Sequence, residues 1–174
     1  KTVIDQAAEK FGMPMGPIEL ADTVGLDICL AVGDSLRAKL GDVLPPAPDW
    51  LRQKVAAGEL GRKTGKGFYV WKDGKPQKSA PADGGASNAT PEMTDRLILP
   101  MINVCVACLR EGIVENPDVV DGAMIFGTGV APFRGGPLQY ARTRGAADVV
   151  ATLRNLSAKC GSPFEPYSGW SAFH

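Results

Sequence analysis

Val3-Ile4-Asp5, then Phe11-Gly12-Met13-Pro14-Met15-Gly16-Pro17, then Ala21: this stretch decides how the chain is read, because its order of residues returns. The second appearance is Val119-Val120-Asp121, then Gly127-Thr128-Gly129-Val130-Ala131-Pro132, then Gly136-Pro137 and Ala141, with about four extra residues between the Asp and the Gly-Pro. In both places an apolar helical pattern stops at glycine and proline, and a proline at a first helical position, where a missing N–H costs nothing, opens the next helix. A long apolar run stands before the second appearance and nothing comparable before the first. The expectation is an all-α chain of two tandem helical repeats, the first truncated at its N-terminus. Residues 1–71 are the first repeat, 72–89 a linker and 90–174 the second.

Outward from that stretch the periodicity predicts helices over 1–10, 17–26 and 27–40, then 50–57 after the Pro45, Pro46 and Pro48 breaks. Gly67 to Lys72 is the one candidate strand. The segment 72–89 is polar and rich in Gly, Pro and Ser, the composition of a linker. Thr90-Pro91-Glu92 combines a cap, a proline and an acid at a helix start. The run from Leu97 to Leu109, apolar except for Pro100 and Asn103, predicts a helix buried on all sides but too short to span a membrane. Asn116-Pro117-Asp118 starts another helix, a final one runs from Ala146 to Cys160, and the aromatic tail after it is expected to lie on the surface.

With 174 residues, 44% of them hydrophobic, the chain can bury a core, whereas one such repeat alone would bury too little. Nineteen basic and nineteen acidic residues cancel, which favours neither nucleic acid nor an anionic membrane as partner. Three of the four cysteines lie in apolar helical patterns, as reduced thiols of a cytoplasmic protein do. The chain opens on Lys1 and not on Met, as expected of a piece of a longer protein.

Several motifs invite chemical readings that fail on spacing. In Gly58-Glu59-Leu60-Gly61-Arg62-Lys63-Thr64, Arg62 separates the glycine from the lysine and a helix precedes, so no P-loop forms; Lys63 remains as a point charge for a nearby anion. Gly127-Thr128-Gly129 with Gly135-Gly136 misplaces the third glycine of a dinucleotide loop. Cys105 and Cys108 have the spacing of a redox pair but sit in the most apolar helix, and zinc would need two more ligands. The sole histidine is His174, at the terminus. Asp5, Asp22, Asp27, Asp118 and Asp121 are read as helix-start acids. No self-sufficient catalytic set can be assembled, and no catalytic residue is assigned.

Phe11-Gly12-Met13-Pro14-Met15-Gly16-Pro17-Ile18-Glu19-Leu20-Ala21-Asp22-Thr23-Val24-Gly25-Leu26-Asp27 closely resembles a hallmark of the 3-hydroxyacyl-CoA dehydrogenase C-terminal domain. Gly61-Arg62-Lys63-Thr64-Gly65-Lys66-Gly67-Phe68-Tyr69 is similar to the segment that closes that domain, and Pro132-Phe133-Arg134-Gly135-Gly136-Pro137 resembles its second tandem copy. The resemblance implies a fold of the 6-phosphogluconate dehydrogenase C-terminal-like type. Tandem copies point to the multifunctional proteins of fatty-acid β-oxidation, in which hydride passes from a (3S)-hydroxyacyl-CoA to NAD.

In that family a His–Glu pair on a Rossmann domain does the chemistry, and an Asn of the helix preceding the first copy's pattern touches substrate. Neither falls within these residues, so the resemblance implies a piece inactive alone. Lys63 takes the place of a lysine near NAD. Phe126 stands where some members carry a substrate-contacting Tyr; without the hydroxyl, stacking or packing is what remains. Met13, Pro14, Met15, Gly16 and Pro17 are expected to line the acyl site. Val104 replaces the Glu that usually follows Asn103. The partners implied are acyl-CoA and a thiolase subunit. An uncovered first repeat predicts that residues 1–40 contact another molecule, with self-association of the chain. The alternative reading is a non-catalytic helical interaction domain.

Overall fold

The computed structural model describes residues 1–41, 44–78 and 89–173. Most of the expected linker, and His174, lie outside the described residues. The helices are α1 (Thr2–Phe11), α2 (Pro17–Val24), α3 (Leu26–Leu40), α4 (Asp49–Ala56), α5 (Pro91–Arg110), α6 (Pro117–Thr128), α7 (Pro137–Arg144) and α8 (Ala146–Cys160). Among the described residues the only strands are the two-residue β1 (Trp71–Lys72) and β2 (Lys75–Pro76). They pair antiparallel across Asp73 and Gly74, whose φ values of 50° and 72° give the turn that matches strand twist. The fold is all-α, and this hairpin occupies the start of the stretch read as linker.

The chain forms two compact units. Lys1–Gln6 and the described residues from Met15 onward to Lys78 make the first; Ala7–Pro14 and the described residues from Ala89 make the second. Helix α1 therefore gives its first half to one unit and its second half to the other.

Both units start a helix in the same way. Helices α2 and α7 have no side-chain cap of their own, because Gly16 and Gly136 hold the cap positions. The cap comes from the preceding helix. Asp5 accepts the backbone N–H of Ile18 at 2.7 Å and of Glu19 at 3.2 Å. Asp121 accepts those of Leu138 at 2.7 Å and Gln139 at 2.9 Å. A carboxylate at the positive end of a helix satisfies two orphan donors at once. Glycine is required beside it, since a Cβ on Gly16 or Gly136 would overlap that carboxylate. Asp5, in the first turn of α1 as expected, also caps the next helix, and Asp121, which lies inside α6 and not at its start, does the same, a correction to its reading as a helix-start acid. Thr90 and Asn116 cap as expected, accepting Met93 N at 3.2 Å and Val119 N at 3.0 Å.

The apolar core sits in the second unit, where Leu99, Ile102, Leu138, Val149 and Leu153 are fully buried with Phe11 among them. Two expectations are overturned here. Helix α5 is not buried on all sides: Val104 is 61% exposed. The tail does not lie on the surface: Trp170 and Phe173 belong to the core. Buried Asn103 explains the second result. Its amide donates to Glu165 O at 2.8 Å, and its oxygen accepts Tyr167 N at 2.9 Å and Trp170 Nε1 at 2.8 Å. Three hydrogen bonds from one buried side chain draw the tail inward, because an unpaired amide there would cost about 1–3 kcal/mol.

Candidate functional site

In the first unit the glycine-rich segment 58–71 closes around Asp22, which stands in α2 directly after Ala21. The fully buried carboxylate accepts Phe68 N and Tyr69 N, both at 2.8 Å, and Trp71 Nε1 at 3.0 Å. Gly61 and Gly67 press against Asp22 so closely that a Cβ at either would collide with it. Cross-links from Gly61 N to Lys66 O (2.8 Å) and from Trp71 N to Gly65 O (2.8 Å) finish the belt. Asp22 is therefore a loop anchor near the end of α2, a second correction to its reading as a helix-start acid. A buried carboxylate facing three donors needs no counter-cation to be stable.

The belt holds one short turn outward, the 3-10 segment Arg62–Thr64. Thr64 locks it by accepting Leu60 N at 3.0 Å. Lys63 projects from this turn, and its ammonium lies 2.6 Å from each oxygen of Asp27 in the first turn of α3. That hydrogen bond, more than any other influence, holds the Asp27 carboxyl below the ordinary range. Gly25, with φ 110°, brings bare backbone against the pair; a Cβ there would stand 3.1 Å from Lys63 Nζ. The Lys63 side chain is 43% exposed. An ammonium carries three donors, so one remains free to face an anion in solvent.

The other expected site residues do not gather around Lys63 within one unit. Met15, Gly16 and Pro17 belong to the first unit, where Met15 Sδ takes a long 3.8 Å contact from the Thr23 hydroxyl. Met13 and Pro14 belong to the second, where Met13 packs on the apolar core. Phe126 lies in the second unit near the end of α6 and is 92% exposed, free of the packing that would hold its ring. Gly127 and Gly129 end α6 and form no nucleotide cradle. Among the described residues no strand–helix unit of the dinucleotide-binding kind exists. Cys105 is buried, and burial pushes its thiol up to about 12. Asp27 and Asn103 are the residues whose roles sequence reasoning missed: their partners stand 36 and 62–67 positions away.

Fold and site together define a helical module that presents a lysine, positioned by Asp27, beside a glycine belt. The family profile described as 3-hydroxyacyl-CoA dehydrogenase, C-terminal domain, matches residues 1–71. The chain is 37% identical over 173 residues to the fatty acid oxidation complex subunit alpha of Shewanella halifaxensis, a match covering 94% of the chain and 24% of that protein. To the same subunit of Vibrio campbellii it is 38% identical, over 95% of the chain and 24% of that protein. The chain thus spans about a quarter of the length of these relatives. Among solved structures, Escherichia coli 3-hydroxybutyryl-CoA dehydrogenase superposes with a TM-score of 0.73 at 21% identity, over 98% of the chain and 53% of that one. The dehydrogenase part of multifunctional enzyme 1 from C. elegans does so at 0.64 and 18%, over 100% and 42%. At these identities the likeness concerns the fold.

Proposed function

We propose that these residues are the substrate-covering part of an NAD-dependent (3S)-3-hydroxyacyl-CoA dehydrogenase of fatty-acid β-oxidation, and that by themselves they transfer no hydride. The family match over residues 1–71 carries this reading. Nicotinamide supplies the hydride acceptor, from a nucleotide domain elsewhere in the longer protein. The chain's part is to bind, orient and exclude water. Asp22 fixes the glycine belt, the belt fixes the turn, and Asp27 fixes the Lys63 ammonium where its free N–H can meet an anionic oxygen of the cofactor. Met13 to Pro17 supply small and apolar surface for the acyl group, and Phe126 an exposed ring for stacking. The two similar helix sets act as tandem copies, and a thiolase subunit is the partner expected of the longer protein.

The test combines the chain with a separately made nucleotide-binding domain and follows NADH formation from a 3-hydroxyacyl-CoA. Activity in the mixture and none in the chain alone supports the proposal. Activity of the chain alone, or stable association without activity, overturns it. The second outcome favours the alternative of a non-catalytic helical interaction domain, which the exposed apolar face of α3 supports.

A further inference from the structure

The tail that Asn103 draws inward leaves a groove along α8. Asn103 pins the tail at Glu165 O and Tyr167 N, at 2.8 and 2.9 Å, so its backbone stands as a fixed wall beside that helix. Two hollows lie between wall and helix. The first, of about 580 Å³, is lined by Ala146, Ala147 and Val150 of α8 and by Trp170 and Phe173 of the tail. The second, of about 470 Å³, lies along Ser157 and Ala158 and is faced by Glu165. Arg154 and Pro166 line both, so the hollows are the two ends of one groove that meet at the Arg154 side chain. Volumes of this size are those of small-molecule sites, about 300–1,000 Å³. Arg154 is exposed. Among the described residues neither its guanidinium nor the hydroxyl of Ser168, which also lines the first hollow, has a hydrogen-bond or ion-pair partner.

We propose that this groove binds an aliphatic monocarboxylate of medium chain length, its carboxylate on Arg154 and its chain directed toward Ala146. A guanidinium without an acid of its own offers two parallel N–H donors, the geometry that a carboxylate accepts. Charge sets the direction. Glu165 faces the second hollow and repels an anion from it, so the headgroup stops at Arg154 and the body of the ligand enters the first hollow. There Ala146, Ala147 and Val150 present small apolar side chains, and Trp170 and Phe173 an aromatic wall. Burying an alkyl chain against such a surface removes it from water, which is the main driving force for a ligand of this kind. From Ala146 to Arg154 the helix rises about 12 Å, the reach of a chain of roughly eight to ten carbons. The wall is already in place, since the Asn103 hydrogen bonds hold it without a ligand, and a preformed site spares the ordering cost of binding. The inference is independent of the dehydrogenase reading, because every residue it uses lies in the second unit and none belongs to the Lys63 turn.

Calorimetric titration of the whole 174-residue chain with octanoate, below the concentration at which it forms micelles, tests the proposal, with helicity followed in parallel. The wild type is expected to bind one octanoate per chain saturably, and octylammonium at least about tenfold more weakly, since its charge opposes that of Arg154. Arg154→Gln should weaken octanoate by about tenfold or more through loss of the charge-assisted contact. Ala147→Trp, which fills the first hollow from an exposed position, should abolish saturable binding. Absence of saturable octanoate binding, equal affinity for octylammonium, or variants that bind as tightly as wild type would each overturn the proposal. Should a variant lose helicity, the contrast between octanoate and octylammonium on the wild type decides.

Discussion

Tyr69 donates its hydroxyl proton to Asp5 Oδ2 at 2.8 Å across 64 residues of sequence, joining the end of the glycine belt to the carboxylate that starts α2. Asp5 and Asp22 are both fully buried, and with Tyr69 and Trp71 they form a continuous polar network. Such networks are stable while every member is satisfied and costly when one is removed.

Asp22→Ala would leave three donors, Phe68 N, Tyr69 N and Trp71 Nε1, without their acceptor. The expected loss is about 3–5 kcal/mol of unfolding free energy, with Asp22→Asn milder because one acceptor oxygen survives. Urea denaturation followed by circular dichroism measures it. A loss below about 1 kcal/mol for the alanine variant would contradict the anchoring role.

Gly136 and Gly122 make a matched pair. A Cβ at Gly136 overlaps Asp121 and must be carried at φ 102°, while at Gly122, inside α6, it meets nothing within 4 Å. Gly136→Ala is expected to cost about 2–4 kcal/mol. Gly122→Ala should stabilise by about 0.5–1 kcal/mol through helix propensity and the unfolded chain. Thermal denaturation of both variants should move the midpoint in opposite directions.

Tyr69 gives the chain an alkaline limit. Burial first, then its hydrogen bond to Asp5, raises the phenol above its ordinary value of 10. A group with a raised folded pKa contributes stability that is complete below the unfolded value and is lost as pH rises through the folded one. Unfolding free energy should therefore decline above about pH 10, and Tyr69→Phe should remove part of that decline. A titration of tyrosinate absorbance alongside denaturant curves would show whether the two slopes differ.

Cys105 should be the slowest thiol to alkylate. With its pKa pushed up to about 12, only about one molecule in ten thousand carries the thiolate at pH 8. Mass-spectrometric labelling with iodoacetamide in native buffer should rank it behind the partly exposed Cys29, Cys108 and Cys160. Early modification of Cys105 would show that α5 opens readily.

On the proposed function, Lys63→Met in the longer protein is expected to raise KM for NAD about tenfold or more with kcat little changed, as loss of one charge-assisted contact of about 1.5–3 kcal/mol would do. Phe126→Ala, at an exposed ring, should leave stability within about 0.5 kcal/mol and weaken acyl-CoA binding alone. Unchanged NAD and acyl-CoA constants in both variants would remove these residues from the site.

Most of the helical architecture was legible because it rests on local signals: α8 runs from Ala146 to Cys160 as its periodicity and closing glycine require, and Thr90 and Asn116 cap the helices they precede. The hairpin at Trp71 was half-legible, its Asp73-Gly74 turn hidden within a polar stretch. Lys63 could be singled out from its motif, but its Asp27 partner could not, since residues 36 apart in sequence carry no local sign of meeting.

By itself, then, the sequence determined where helices start and stop and that one order of Asp, Gly and Pro occurs twice, because backbone propensity and capping act over a few residues. Only the tertiary structure decided what that order is for. Asp5 and Asp121 each cap a helix that begins more than ten residues later, and Asn103 draws an aromatic tail into the core. A buried polar group must find partners wherever the folded chain brings them, and that requirement is written in three dimensions rather than in neighbouring residues.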